Sequence, residues 1–221
     1  IRELGKEVSI VEFGPYLLTR QLDEALSNLV IRKLEEKGFR MYLNASSKEI
    51  IGDNKVEKLV LQDGRIIETQ AILVSAGITA NLDLLKGTRI EINRGIKVNE
   101  FLKTSINDVY AAGDVVEING LNLGLWSIAM EQGRIAGANM TGEEILYSIS
   151  EPSTLLSIED IKVFSTGDVH NFNSIMEYNE NNEVVYKLFL KNYIINGGVL
   201  YGDVTKMAKL KKAVNNKVDI R

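Results

Sequence analysis

The chain contains no cysteine. That absence excludes an iron-sulfur cluster, a thiolate zinc site and a redox disulfide within it. Histidine occurs once, as His170. A metal site needs several converging ligands, so His170 reads as a surface or packing residue and no metal-binding set is expected. Basic residues do not outnumber acidic ones: the net charge is −4 with 25% charged residues, so no basic footprint points to nucleic acid. No uncharged apolar run approaches the roughly 18 residues that span a bilayer, and no signal peptide is visible. The expectation is a soluble, cytoplasmic protein with neither nucleic-acid nor membrane partners. Methionine is missing from position 1, and proline occurs twice, with Pro152 marking a boundary between segments.

What is present suits an α/β chain. With 221 residues it is long enough to bury a real core. Ile1–Gly5 reads as the last turn of a helix with Gly5 as its C′ residue. Val8–Val11 reads as a short buried strand ending at Glu12. A strand that ends in an acidic residue, just after a helix, is the second half of a dinucleotide-binding βαβ unit. The first strand and its glycine-rich loop are then expected before Ile1, which would make this chain a piece of a longer enzyme. In that setting Glu12 accepts hydrogen bonds from the adenosine ribose hydroxyls and repels a 2′-phosphate, favouring NADH over NADPH.

Leu22, Leu26, Leu29, Val30 and Leu34 recur at helical spacing, so one face of that helix is expected to pack on the sheet; Gly38 ends it. Phe39–Leu43 reads as a strand, and Val56–Leu61 with Arg65–Thr69 as a hairpin around Asp63-Gly64. Ala71–Ala76 is a continuous apolar run of the kind buried in a parallel sheet, and Gly95–Val98 reads as a further strand.

The stretch Thr104–Asp114, TSINDVYAAGD, carries the most information. Val109–Ala111 has β-propensity and follows the turn-forming Asn107-Asp108. A glycine at a strand's carboxyl end lets a ligand approach the backbone closely, and in open α/β sheets ligands sit at that end. Asp114 there is placed to accept hydrogen bonds from a polyol. Downstream, Ala129, Gly133 and Gly137 lie four apart, a smooth ridge for close packing of a helix. Glu131 and Arg134 on the same helix exclude a membrane dimer motif.

Beyond Pro152, strands are expected at Ile161–Ser165, Val184–Leu190, Tyr193–Ile195 and Gly198–Leu200. Asn179–Asn182 and Asn196-Gly197 read as turns. Asp203 is expected to cap a closing helix that packs through Met207, Leu210 and Val214.

In combination these strings resemble the FAD-dependent pyridine-nucleotide-disulfide oxidoreductase superfamily. Thr104, Tyr110, Ala111, Gly113 and Asp114 match its second flavin-binding motif, which implies that Asp114 binds the ribityl chain of FAD. Gly77–Asn81 resembles the turn that returns the chain from the NAD domain to the FAD domain, with Ala80 where proline is usual; Gly77 would admit the nicotinamide and flavin. GLWSIAMEQGRIAGANMTG resembles the flavin-contacting helix of rubredoxin reductases and nitrite reductase subunits. It implies that the amides near Leu125, Trp126 and Ser127 face the isoalloxazine, as helix-start amides and dipole favour an anionic reduced flavin. VFSTGDV and YKLFLKNYIINGGVLYGD are similar to the C-terminal interface domain of these reductases. Glu151–Ile161 carries no histidine, which argues against a glutathione-reductase-like mechanism.

The resemblance implies part of a two-dinucleotide-binding-domain flavoprotein fold plus a small α+β C-terminal domain. The expected parts are residues 1–76 (partial NAD domain), 77–150 (second half of the FAD domain) and 151–221 (interface domain). Electrons would pass from NADH through FAD to rubredoxin, a ferredoxin-like protein or a nitrite reductase domain. No residue stands out as a general acid or base. An alternative from another class is a catalytically silent, self-associating fold piece that binds no flavin, since both glycine-rich phosphate loops are absent from these residues; on that view the chain purifies colourless. A third is an FAD-free binding module, which leaves Asp114 and Trp126 without a role.

Overall fold

The computed structural model describes residues 2–148 and 151–221. Two compact units are present, one built from residues 1–72 with 150–221 and the other from residues 73–149. Among the described residues no helix is long and apolar enough to cross a membrane.

The first unit begins with a single 3-10 turn, Arg2–Leu4, closed by Gly5 at φ +70. Strand β1 (Val8–Val11) pairs in parallel with β2 (Phe39–Tyr42), and helix α1 (Glu24–Glu36) connects them. Asp23 caps α1 by accepting from the Leu26 amide at 3.0 Å. At the other end Gly38 takes φ +83, and the Arg2 guanidinium occupies the space a side chain there would need. Arg2 Nε donates to the Lys37 carbonyl at 2.9 Å, placing a cation at the helix's negative end. A three-stranded sheet follows, β3 (Ser47–Ile51), β4 (Lys58–Leu61) and β5 (Ile66–Glu68), with Asp63-Gly64 at the β4–β5 turn as expected.

Two sequence expectations fail between residues 71 and 111. Ala71–Ala76 forms no strand, and Leu73 and Val74 are 88% and 74% exposed. A continuous apolar run marks a strand with neighbours on both sides, and no described segment pairs with this one. Val109–Ala111 forms only a one-residue bridge, Lys103 with Tyr110. The parallel pair lies instead between β6 (Ile96–Lys97) and β7 (Val116–Glu117), so the strand follows Asp114 rather than leading to it. Helix α2 (Trp126–Met140) covers this pair through Ile135 and Ala136, which join Leu102, Val116, Ile118 and Tyr147 in one core. Of the ridge Ala129, Gly133 and Gly137, the Ala129 methyl lies 3.7 Å from the Cβ position of Gly113, while among the described residues nothing lies within 4 Å of the Cβ positions of Gly133 and Gly137. The buried stripe of α2 is Gln132, Ile135, Ala136 and Asn139, a different face.

The chain then returns to the first unit as a five-stranded antiparallel sheet. Its strands are β8 (Ser153–Ile158), β9 (Ile161–Gly167), β10 (Ser174–Glu180), β11 (Val184–Lys191) and β12 (Ile194–Tyr201), in the order β10-β11-β12-β9-β8. Tyr193–Ile195 and Gly198–Leu200 are one strand, not two. The expected Asn196-Gly197 turn sits inside β12, because Gly197 lies against the Asp168 backbone where no Cβ fits. The turn is made by Asn192 and Tyr193, both at positive φ. Helix α3 (Met207–Asn215) closes the chain on Leu210 and Val214, with Met207 40% exposed. Asp203 does not cap it: the helix starts beyond its reach, and its carboxylate goes to Tyr186 and to the Thr205 amide.

The main core joins the two ends of the sequence. Leu22, Leu26, Val30 and Leu34 of α1 and the segment before it pack with Val163, Val185, Phe189 and Val199 of the five-stranded sheet. Each such side chain contributes about 1.5–3 kcal/mol when fully buried. The α1 face therefore meets the C-terminal sheet, with β1 and β2 residues Ile10, Phe39 and Met41 at its margin.

Candidate flavin and nucleotide site

The second unit brings its expected site residues to the start of α2. The segment carrying Asp114 is fastened to the helix at two points. Tyr110 Oη donates to the Asn139 carbonyl at 3.1 Å, and the Gly113 amide donates to Gln132 Oε1 at 2.8 Å. Extended chain advances about 3.3 Å per residue, so Tyr110 to Gly113 covers roughly 10 Å. Asn139 to Gln132 covers about the same distance at 1.5 Å per residue. The segment thus runs along α2 toward its N-terminus, and Asp114 lies in the turn that follows, closed by the Val116 amide donating to the Gly113 carbonyl at 2.9 Å. Gly113 takes φ +89, and the Ala129 methyl lies 3.7 Å from where its Cβ would be. Asn122, just before α2, donates to the carbonyls of Asp114 at 2.8 Å and Val116 at 3.0 Å. The Asp114 carboxylate is exposed, and no described residue hydrogen-bonds it.

Gly77 reaches the same end of the helix. It takes φ +86, and Ile78 beside it fills the space that a side chain on Gly124 would occupy. Gly124 itself lies at φ +55, directly before the N-cap Leu125. Leu125 is extended, and no side chain caps the first turn. Trp126 is 83% exposed and Ser127 is exposed beside it. The amides of this turn, which a helix leaves without intrahelical partners, carry the positive end of the dipole. An uncapped helix start, an unpartnered carboxylate and the open space beside Gly77 form a donor and acceptor set that fits a polyol chain and a planar ring edge.

Glu12 belongs to the other unit. It ends β1, its amide donates to the Tyr42 carbonyl at 2.9 Å, and its Oε1 accepts from the Gly14 amide at 2.7 Å. One carboxylate oxygen is thereby fixed at the strand end, leaving the second available to a ligand. His170 is an exposed side chain whose Nε2 bonds the Thr19 carbonyl at 2.7 Å.

Sequence reasoning missed three residues that shape the second unit. Gln132 holds Gly113. Asn139 donates through Nδ2 to the Phe101 and Ile145 carbonyls and accepts from the Ile145 amide. Glu117 accepts from the Asn93 side chain and the Arg94 and Gly95 amides, and these bonds hold its carboxyl below the ordinary range. The available signal was that Gln132 and Asn139 share one helix face with Ile135 and Ala136, where a polar group needs a partner.

Residues 1–133 match the family described as pyridine nucleotide-disulphide oxidoreductase. The chain belongs to that family. Residues 152–218 match the rubredoxin NAD+ reductase C-terminal domain. The chain is 35% identical over 217 residues to the NADH-rubredoxin oxidoreductase of Clostridium acetobutylicum, covering 98% of this chain and 54% of that protein. It is 34% identical over 221 residues to a nitrite reductase [NAD(P)H] of Bacillus subtilis, covering 98% of this chain and 28% of that protein. The crystal structure of the Clostridium acetobutylicum NADH:rubredoxin oxidoreductase superposes with a TM-score of 0.77 at 34% identity, over 99% of this chain and 55% of that one. The chain therefore spans about half or less of the length of these family members.

Proposed function

We propose that this chain is the C-terminal portion of an NADH-dependent FAD oxidoreductase that passes electrons to a redox partner. The observation that carries the reading is the convergence of Gly77, Gly113 and Asp114 on the uncapped start of α2. FAD, when bound, supplies hydride acceptance from NADH and onward electron transfer. The protein's part is binding and electrostatics. Asp114 accepts from the ribityl hydroxyls; the amides after Leu125, at Trp126 and Ser127, donate to the pyrimidine edge and favour negative charge there. Gly77 and Gly113 leave the approach clear of side chains. Glu12 accepts from the adenosine ribose and disfavours a 2′-phosphate. The partner is a rubredoxin, a ferredoxin-like protein or a nitrite-reducing domain, and residues 1–76, 77–150 and 151–221 serve as NAD, FAD and interface segments.

The test is the visible spectrum of the holoenzyme under anaerobic NADH, then under each candidate acceptor. A flavin spectrum bleached by NADH and restored by an acceptor supports the reading, and a preparation without flavin contradicts it. The exposed apolar side chains of the second unit, Leu84 at 91%, Trp126 at 83% and Leu146 at 60%, favour a second reading of the chain by itself. On that reading it is a colourless, catalytically silent piece that self-associates through apolar surface. Sedimentation of the chain alone separates a monomer from a dimer.

A further inference from the structure

The only histidine in the chain is tied to the segment that follows Glu12. His170 stands in the loop between β9 and β10, and its own amide donates to Asp168 Oδ1 at 2.8 Å, fixing the backbone there. Its ring nitrogen Nε2 meets the carbonyl of Thr19 at 2.7 Å across 151 residues of sequence. A carbonyl only accepts, so Nε2 carries the proton and donates. The Thr19 methyl in turn lies 3.0 Å from the point where a Cβ on Gly14 would sit, and the Glu12 carboxylate lies 3.2 Å from that same point. Gly14 N is the donor that holds Glu12 Oε1. His170 thus bonds the Thr19 carbonyl, Gly14 bonds the Glu12 carboxylate, and the Thr19 methyl stands over the space beside Gly14 that links the two.

Neighbouring residues anchor the same connection. Ser165 Oγ of β9 donates to the Gln21 carbonyl at 2.7 Å. Leu17 and Leu22 on either side are buried in the same core as Val163 and Val169. The Gly14–Gln21 connection has little regular structure of its own, so the orientation of the Glu12 carboxylate depends on what holds this connection in place.

We propose that His170 is a positioning residue for Glu12, by which the C-terminal sheet sets the preference for a nicotinamide nucleotide bearing a free ribose 2′-hydroxyl. The inference rests on the reading of Glu12 as the ribose-binding carboxylate. A mispositioned carboxylate neither accepts well from the hydroxyls nor repels a 2′-phosphate, so both effects weaken together.

The experiment compares His170→Ala, His170→Gln and Glu12→Ala in the holoenzyme, with steady-state kinetics on NADH and NADPH, and measures Gly14 amide exchange by NMR in the same holoenzyme. His170→Ala is expected to raise KM for NADH about fivefold at unchanged kcat, to narrow the NADH to NADPH ratio, and to speed Gly14 exchange at least fivefold. His170→Gln keeps a donor and is expected to restore most of each. Unchanged Gly14 exchange in His170→Ala overturns the proposal, as does an unchanged KM where Glu12→Ala raises it. If Glu12→Ala itself leaves KM and the nucleotide ratio unmoved, the reading of Glu12 fails, while the exchange measurement still judges the link from His170 to Gly14.

Discussion

Lys187 Nζ donates to Asp23 Oδ2 at 2.8 Å while Asp23 Oδ1 accepts from the Leu26 amide at 3.0 Å, so one carboxylate both caps α1 and binds it to the C-terminal sheet. The Lys187 side chain is only 6% exposed, and Glu177 Oε2 lies 3.2 Å from the same nitrogen. Helix α1 and strands β9, β11 and β12 share one core.

Removing the cation leaves two carboxylates facing each other without a counter-charge. Lys187→Met is expected to cost about 3 kcal/mol, the low end for breaking a buried pair because Asp23 keeps some solvent. Urea denaturation followed by circular dichroism measures it. Asp23→Asn keeps the cap and is expected to cost less. A loss below about 1 kcal/mol in Lys187→Met would mean the pair is effectively solvated.

Tyr186 and Asp203 form a second pair with opposite shifts. The Tyr186 hydroxyl donates to Asp203 Oδ2 at 2.5 Å. Donation to Asp203 pushes the phenol up to about 12, and the same bond, with those from Thr205, pulls the carboxyl down to about 2. The phenol is held protonated in the folded state, so its contribution is full below its ordinary value of 10.0 and is lost as pH rises toward about 12. The carboxyl is held ionised, so its contribution is present above its ordinary value of 3.8 and is lost as pH falls toward about 2. Phenolate absorbance should show a late-titrating tyrosine that Asp203→Asn moves earlier; an unchanged titration would contradict the bond.

Gln132 holds the Gly113 amide through one buried acceptor. Gln132→Leu leaves that amide unpaired and frees the segment bearing Asp114. A hydrogen bond of about 1.4 kcal/mol corresponds to tenfold in binding. FAD affinity of the holoenzyme is expected to fall about tenfold, read by fluorescence of released flavin. An affinity within twofold of the parent would show that Gly113 keeps its conformation without Gln132.

How much of this was legible in the sequence depended on the range of the interaction. The Asp63-Gly64 hairpin and the Asp23 to Gly38 helix were readable because their signals lie within a few residues. Ala71–Ala76 was misread because an apolar run reports a wish for partners and not their presence. Asn196-Gly197 has a turn's composition, yet the close approach of Asp168 uses that glycine inside a strand. Gly113 and Asp114 stood out as a string, but Gln132 and Ile78, which bring that string and Gly77 to α2, act across the fold. Gly133 and Gly137 have the spacing of a packing ridge, yet α2 buries the face with Gln132, Ile135, Ala136 and Asn139.

The central claim is that Asp114 and the start of α2 grip a flavin. Its most direct test is the FAD dissociation constant of the holoenzyme carrying Asp114→Ala, measured beside the parent and a Glu151→Ala control in the other compact unit. The account predicts at least a tenfold weaker FAD affinity for Asp114→Ala, with the control unchanged. An affinity equal to the parent's would contradict it.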